Sequence, residues 1–406
     1  MNLLLCVGSY KPIFDANVKI ALELAEQFKK DGNNCHIIFI NDFSSSADRG
    51  KINGISYDSI PSSKWFSRIS SHYSFYKNKG FSKKEYALHF PLYALFYYFF
   101  KDGNHLAYKQ YTDFINDILI NNKIDYLISF SNPFVPTLRI YEKCHDCKKI
   151  YYQCDPYGLH EQLPANSKAD RIQQELYVMH NSSYVFTTQV LFEQYKKHLD
   201  YCRYSNKIIP LHFPNLRLQE RTKRNSLWHT YDIFFLGAIK DEYRDPKKII
   251  DFVMSSSLPT RLIFYGDIHS DSLNRAIEKY KDRVLLRDQI SNQEAAKLIN
   301  SNVFLLNINN SIGNQSPSKL IDYISTGNPI INCVKLNSDI SPLILKEYEL
   351  TFHYYEYNDN SIEEFDSFLV NSQNKRVDPE SIINSYKEYT PEFVAAQILK
   401  TLKNTN

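Results

Sequence analysis

Twice along this chain, short apolar runs alternate with segments of helical period, and few folds tolerate that arrangement. Leu3 to Gly8 is an apolar run that stops at a glycine. Apolar residues at 18, 20, 21, 24, 25 and 28 then follow helical spacing until Asp31-Gly32 ends the segment, and Cys35 to Ile40 is apolar again. A strand, a helix and a strand joined this tightly form a βαβ unit, which makes the sheet parallel and the crossover right-handed. Further strands are expected at Tyr126 to Phe130, Ile150 to Gln153 and Tyr184 to Thr187.

The pattern restarts after residue 230. Strands are expected at Asp232 to Leu236, Arg261 to Tyr265, Val284 to Arg287, Val303 to Ile308 and Pro329 to Val334. Helices fit between them, at about Pro246 to Met254, Asp271 to Tyr280, Asn292 to Ile299, Pro317 to Ser325 and Ile340 to Glu347. Ser291 and Glu294 have the spacing of a capping box. Continuous apolar strands of this kind are buried on both faces, so the fold class is α/β with doubly wound parallel sheets. Within Ile208 to Pro214, Pro210 and Pro214 flank a short apolar run, and Arg217 to Arg224 is polar and basic; this stretch is expected to be the linker.

The chain therefore divides into a Rossmann-like lobe over 1–212, a second over 213–385 and a C-terminal helical tail over 386–406, expected to pack back toward the first lobe. A length of 406 residues fits that count of domains, and 43% hydrophobic with 23% charged residues excludes a disordered or collagen-like chain. The net charge of +3 gives no footprint for nucleic acid. Seven cysteines, an odd number, do not make a disulfide framework. Met1 to Cys6 has neither a basic n-region nor an h-region of secretory length, so a cytoplasmic setting is expected. Cys144-His145-Asp146-Cys147 is a CxxC with no second pair at zinc spacing, and chance explains it best.

Aromatic content is the compositional outlier, with 31 Tyr and 26 Phe. Many fall in an insertion at about 64–114, beside Lys77, Lys79, Lys83 and Lys84. Its uncharged core, Tyr86 to Phe100, is shorter than the roughly 20 residues needed to span a bilayer and contains Pro91. Two readings stay open: aromatic packing within the first lobe, or a peripheral face at the inner surface of the cell membrane.

Ligands of doubly wound sheets bind outside the carboxyl ends of the strands, so the expected site is a cleft between the two lobes. The most informative stretch is Asn307 to Ile331. A loop containing Gly313 leads to Ser316-Pro317-Ser318-Lys319, where Ser suits an N-cap and Pro the first helical position. Free amides at Ser318 and Lys319, with the lysine itself, would seat a diphosphate. Asp322 lies on the same helix face as Ser318; a carboxylate there repels phosphate but accepts hydrogen bonds from a ribose diol. Its other reading is a solvated helix residue.

This arrangement resembles the C-terminal domain of GT-B glycosyltransferases, especially the retaining family four and its bacterial polysaccharide members. Their pattern is an acidic residue, seven residues, a glutamate, then a small residue, Gly and Pro-Val/Ile. Asp322 falls on the second acid, and Ser325-Thr326-Gly327-Asn328-Pro329-Ile330-Ile331 on the remainder of the pattern; the first acid is replaced by Asn314. The resemblance implies a GT-B fold and transfer of a sugar from a nucleotide-diphosphate donor to an acceptor hydroxyl, in surface polysaccharide or other glycan synthesis, with retention of configuration. It also implies roles for residues. Lys240 and Arg244, after the glycine of Phe234-Phe235-Leu236-Gly237, would grip the donor diphosphate together with Ser316, Ser318 and Lys319. Arg287, Gln289 and Ile290 would form the base-binding loop, Asp322 would hold the ribose, and Asn314 and Gln315 the donor sugar.

In the first lobe, Gly8 and Tyr10 follow the first strand on the acceptor side, and Asp155 and His160 follow another strand end as catalytic candidates. The acceptor is expected to be a glycan, a lipid-linked sugar or a protein. No DxD-type paired acid is present, so no metal and no cofactor is expected, the basic side chains supplying the positive field. Two alternatives remain: a nucleotide-sugar epimerase on the same fold, or a non-catalytic GT-B-like binding subunit, which the Asn314 replacement favours.

Overall fold

The computed structural model describes residues 1–8, 16–40, 47–61, 105–131, 133–160, 165–223, 225, 228–266, 268–311 and 318–404. These divide into two compact units, Met1–Pro214 with Val394–Asn406, and Asn215–Phe393.

The first unit contains β1 (Asn2–Val7), α1 (Ala16–Lys30), β2 (Asn34–Ile40), β3 (Asp48–Ile52), β4 (Ile55–Ile60), α2 (His105–Asn121), β5 (Tyr126–Phe130), α3 (Phe134–Lys143), β6 (Lys148–Gln153), α4 (Ala165–His180), β7 (Tyr184–Thr187), α5 (Gln189–Lys197) and β8 (Ile208–Pro210). The sheet order is β3-β4-β2-β1-β5-β6-β7-β8, parallel except for the antiparallel β3–β4 edge hairpin. The central strand β1 shows why the run is continuously apolar. Leu3, Leu5 and Val7 face one buried cluster, whereas Leu4 and Cys6 face another. In the first cluster they meet Ala21, Leu24 and Phe28 of α1, whose complete burial contributes about 2 kcal/mol for each large side chain. Gly32, at φ +78°, ends α1, with Asn33 N–H donating to the Phe28 carbonyl and Gly32 N–H to that of Lys29.

The edge hairpin turns at Asn53-Gly54, where both residues have positive φ, the geometry of a two-residue turn matched to strand twist. Ile208–Pro210, expected in the linker, instead pairs with β7 as the last strand. Pro210 is tolerated because this strand lies at the sheet edge, where a missing N–H costs no ladder bond.

The second unit contains β9 (Asp232–Leu236), β10 (Ile239–Lys240), α6 (Asp241–Arg244), α7 (Lys247–Met254), β11 (Arg261–Tyr265), β12 (Ile268–His269), α8 (Asp271–Tyr280), β13 (Val284–Arg287), α9 (Asn292–Ile299), β14 (Phe304–Ile308), α10 (Ser318–Ile324), β15 (Ile330–Val334), α11 (Ser341–Ile344), β16 (Thr351–Tyr355), α12 (Ile362–Ser372) and α13 (Pro379–Tyr386). Its main sheet is wholly parallel, ordered β13-β11-β9-β14-β15-β16, and β10 pairs with β12 as a separate two-stranded ribbon. Counted along the main sheet this is the 3-2-1-4-5-6 order of the dinucleotide-binding fold, with the switch point between β9 and β14. At the opposite end of β9, Arg261 holds the fully buried Asp232 by two hydrogen bonds of 2.6 Å. Both halves of the Ser291–Glu294 capping box form at α9.

The last helix, α14 (Pro391–Lys403), places Val394, Ile398 and Leu402 in the first unit's core beside β1 and α1. The buried Tyr126 hydroxyl of β5 donates to the Leu402 carbonyl at 2.9 Å.

Candidate functional site

The carboxyl ends of β9 and β14 are where this topology leaves a crevice. β9 closes on Leu236-Gly237, and the chain turns at once into β10 and α6. Gly237 sits at φ +155°, and a Cβ there would stand 2.7 Å from Lys319 Nζ. Its N–H donates to the Tyr265 carbonyl at 2.9 Å, and a Cβ on Gly266 (φ +139°) would collide with the Gly237 carbonyl oxygen. Two strand-end glycines thus let two backbones and a lysine head share a space that side chains would fill.

Into that space come two cations from different elements. Lys319, on the first turn of α10, donates to the Leu236 carbonyl at 3.2 Å. Arg244, at the end of α6, donates from one terminal nitrogen to the Ala238 carbonyl at 3.0 Å. Burial of its head group and the neighbouring Arg244 charge hold Lys319 down to about 8, against the opposing pull of Asp322. Burial likewise lowers Arg244. Its Nε is buried without a hydrogen-bond partner among the described residues.

Asp322, one turn along α10, receives the Asn215 side-chain amide at 3.3 Å, and the same NH₂ donates to the Ser318 carbonyl at 2.9 Å. Asn215 is 6% exposed, and its side-chain oxygen is buried without a partner among the described residues. The buried Tyr323 hydroxyl accepts the Leu236 N–H at 3.3 Å, tying α10 to the end of β9. Asn215, Tyr323 and Gly266 escape a reading for charged motifs. Their only signals are a polar residue straight after Pro214, an aromatic beside Asp322 and a glycine straight after a strand.

The structure brings Gly237, Arg244, Ser318, Lys319 and Asp322 together. Lys240 holds its ammonium 6.0 Å from the centre of the Tyr243 ring. Arg287 and Gln289 are exposed at the carboxyl end of the edge strand β13, with Ile290 half-buried after it. Asn314, Gln315 and Ser316 lie outside the described residues, as do Tyr10 and most of the aromatic insertion.

In the first unit, Gly8 ends β1 at the corresponding switch point, and a Cβ there would press on Pro133 at 2.8 Å. Asp155 and His160 lie on the loop after β6, both half-buried. Glu175 of α4, fully buried, anchors that loop by accepting the Gly158 N–H at 3.1 Å, and it also accepts from Tyr201, Gln153 and Tyr195. Burial raises the Glu175 carboxyl despite these donors. Cys144 and Cys147 are unpaired thiols, pushed up to about 12 and about 11 by burial. Among the described residues no group of three or more His, Cys, Asp or Glu side chains could hold a metal ion, and no helix is long and apolar enough to cross a membrane.

Two doubly wound parallel units of this topology define the GT-B fold. The sucrose-phosphate synthase of Thermosynechococcus elongatus superposes with a TM-score of 0.65 at 10% identity, over 100% of this chain and 98% of that one. The catalytic domain of starch synthase IV from Arabidopsis thaliana, solved with ADP and acarbose, gives 0.59 at 9% identity, covering 99% of each chain. WaaG, a glycosyltransferase involved in lipopolysaccharide biosynthesis, gives 0.58 at 11% identity, over 98% of this chain and 99% of that one. No family model matches the sequence, and no curated protein does.

Proposed function

We propose that this chain is a glycosyltransferase, moving a sugar from a nucleotide-diphosphate donor to an acceptor hydroxyl of a growing glycan. The observation that carries the proposal is the Arg244–Lys319 pair. Two cations crowded together, with no carboxylate bridging either and a buried guanidinium N–H left unpaired among the described residues, form a charge arrangement suited to an anion.

In the reaction, the bond between the sugar's anomeric carbon and the β-phosphate oxygen breaks, and the acceptor oxygen bonds to that carbon. The departing diphosphate gains a negative charge, which Arg244 and Lys319 stabilise from fixed positions. The acceptor hydroxyl loses its proton; Asp155 and His160 are the first unit's candidates for receiving it. Asp322, steadied by Asn215, suits the ribose diol. Arg287, Gln289 and Ile290 are assigned to the base, and Asn314 and Gln315 to the donor sugar. The side-chain cations supply the positive field, so activity should survive chelation by EDTA.

Incubation with a panel of nucleotide sugars tests this. Acceptor-dependent release of nucleoside diphosphate, or slow donor hydrolysis, supports the transferase. Interconversion of sugars without release makes the chain an epimerase, and binding without turnover makes it a binding subunit.

A further inference from the structure

The first unit carries a second concavity, at the amino-terminal edge of its sheet, whereas the candidate site lies at the carboxyl ends. Its volume is about 840 Å³, and it opens between the starts of β1 and β2, the edge hairpin and the last turns of α2. This is the size of a small-molecule binding cleft.

Its lining has a definite chemistry. Asp58, 5% exposed, accepts from His36 Nε2 at 2.8 Å and Arg49 Nε at 2.5 Å, so three polar side chains are locked together in the wall. The remaining guanidinium N–H groups of Arg49 have no hydrogen-bond partner among the described residues, and its head lies 6.0 Å from the Phe114 ring centre. Tyr57, next to Asp58 in β4, turns its ring to the opposite face of the sheet, where it packs against Phe39 with ring centroids 5.8 Å apart. It sits directly across the hairpin from Gly50, where even a Cβ would come within 3.0 Å of that ring. Asn34 donates to the Asn2 side-chain oxygen at 2.9 Å, and its own side-chain oxygen has no hydrogen-bond partner among the described residues.

The charges here cancel. Arg49 and Lys123 face Asp58 and Asp117 around the cavity, so there is no field to select an anion or a cation. Amide and guanidinium edges beside the Phe114 ring suit a neutral ligand with many hydroxyls: the C–H face of a sugar ring lies on the aromatic ring, and hydroxyl pairs meet the planar donors and acceptors. We infer that this groove is a second carbohydrate-binding site, which takes a stretch of neutral oligosaccharide at the amino-terminal edge of the first unit's sheet. The inference stands without the transferase proposal, because it uses no residue of the second unit.

Titrating the full chain with maltohexaose, cellohexaose and chitohexaose, monitored by calorimetry and by NMR, tests it. At least one is expected to bind, with Asn34→Ala and Arg49→Ala each weakening it by about tenfold while the affinity for UDP or ADP stays unchanged. Arg244→Ala is expected to leave the oligosaccharide affinity intact. Asn34 is exposed, so its variant remains informative should Arg49→Ala fail to fold. Absence of binding by all three at millimolar concentration overturns the inference, as does binding that neither groove variant weakens. Loss of nucleotide binding in wild type would count against the donor site and leave this test untouched.

Discussion

Arg244 and Lys319 lie close enough for the guanidinium to depress the neighbouring ammonium, and neither forms an ion pair with a carboxylate among the described residues. That relationship fixes a pH dependence. Between about 8 and the ordinary 10.5 of lysine, the unfolded chain holds a proton that the folded chain has lost. The lysine's contribution to stability therefore rises with pH through that window. Anion binding needs the ammonium and runs the other way. Measured from pH 7 to 10, nucleoside diphosphate affinity is expected to stay level up to about 8 and then fall, by at most about tenfold per pH unit. Lys319→Arg should flatten the profile.

Removing either cation should weaken nucleotide binding. Charge-assisted hydrogen bonds contribute about 1.5–3 kcal/mol each, so Arg244→Ala is expected to cost about 10- to 100-fold in affinity. Arg244→Lys should recover little of it, because an ammonium cannot hold the Ala238 carbonyl and reach a phosphate through a fork at once. Isothermal titration with UDP and ADP measures both.

Gly266 is a stability position. A methyl group there meets the Gly237 carbonyl oxygen at a φ that side chains rarely adopt, so Gly266→Ala should destabilise the second unit by about 3 kcal/mol or more. The first unit's hydrogen-exchange protection should be unchanged, which separates the effect from general misfolding.

Glu175 tests the first unit. Its carboxyl is raised, so folding favours the protonated form, and its stabilising share is full below the ordinary value of 4.5 and lost as pH rises through the folded value. Glu175→Gln should remove that loss, giving a variant whose stability relative to wild type improves as pH rises above 4.5. A Leu at the same place should destabilise at every pH, since Gly158 N–H and the Tyr201 hydroxyl would lose their acceptor.

The fold is legible in the sequence where burial is two-sided. β9 and β11 are apolar runs with the bounds observed, because each strand is covered on both faces; β13 has its expected bounds too, although Leu286 and Arg287 are exposed at the sheet edge. β16 is not, because Thr351, His353 and two tyrosines dilute the run at an edge of the sheet. Asn53-Gly54 marks the edge hairpin only once β3, which is almost wholly polar, is accepted as a strand. At the site, Lys319 and Asp322 can be read from their motif and spacing on one helix. The Arg244–Lys319 approach and the Asn215–Asp322 bond cannot, since each joins residues far apart in sequence and depends on how tightly the glycine turn after β9 closes.

The return of α14 to the core beside β1 sets an order on biosynthesis. A ribosome releases every strand of the first sheet long before Val394, Ile398 and Leu402 emerge, so that sheet must wait with one apolar flank bare until those residues arrive. The second unit, made entirely in the interval, needs nothing from those closing residues. A released chain truncated after residue 393 should accordingly resist protease in its later half and yield in its earlier one.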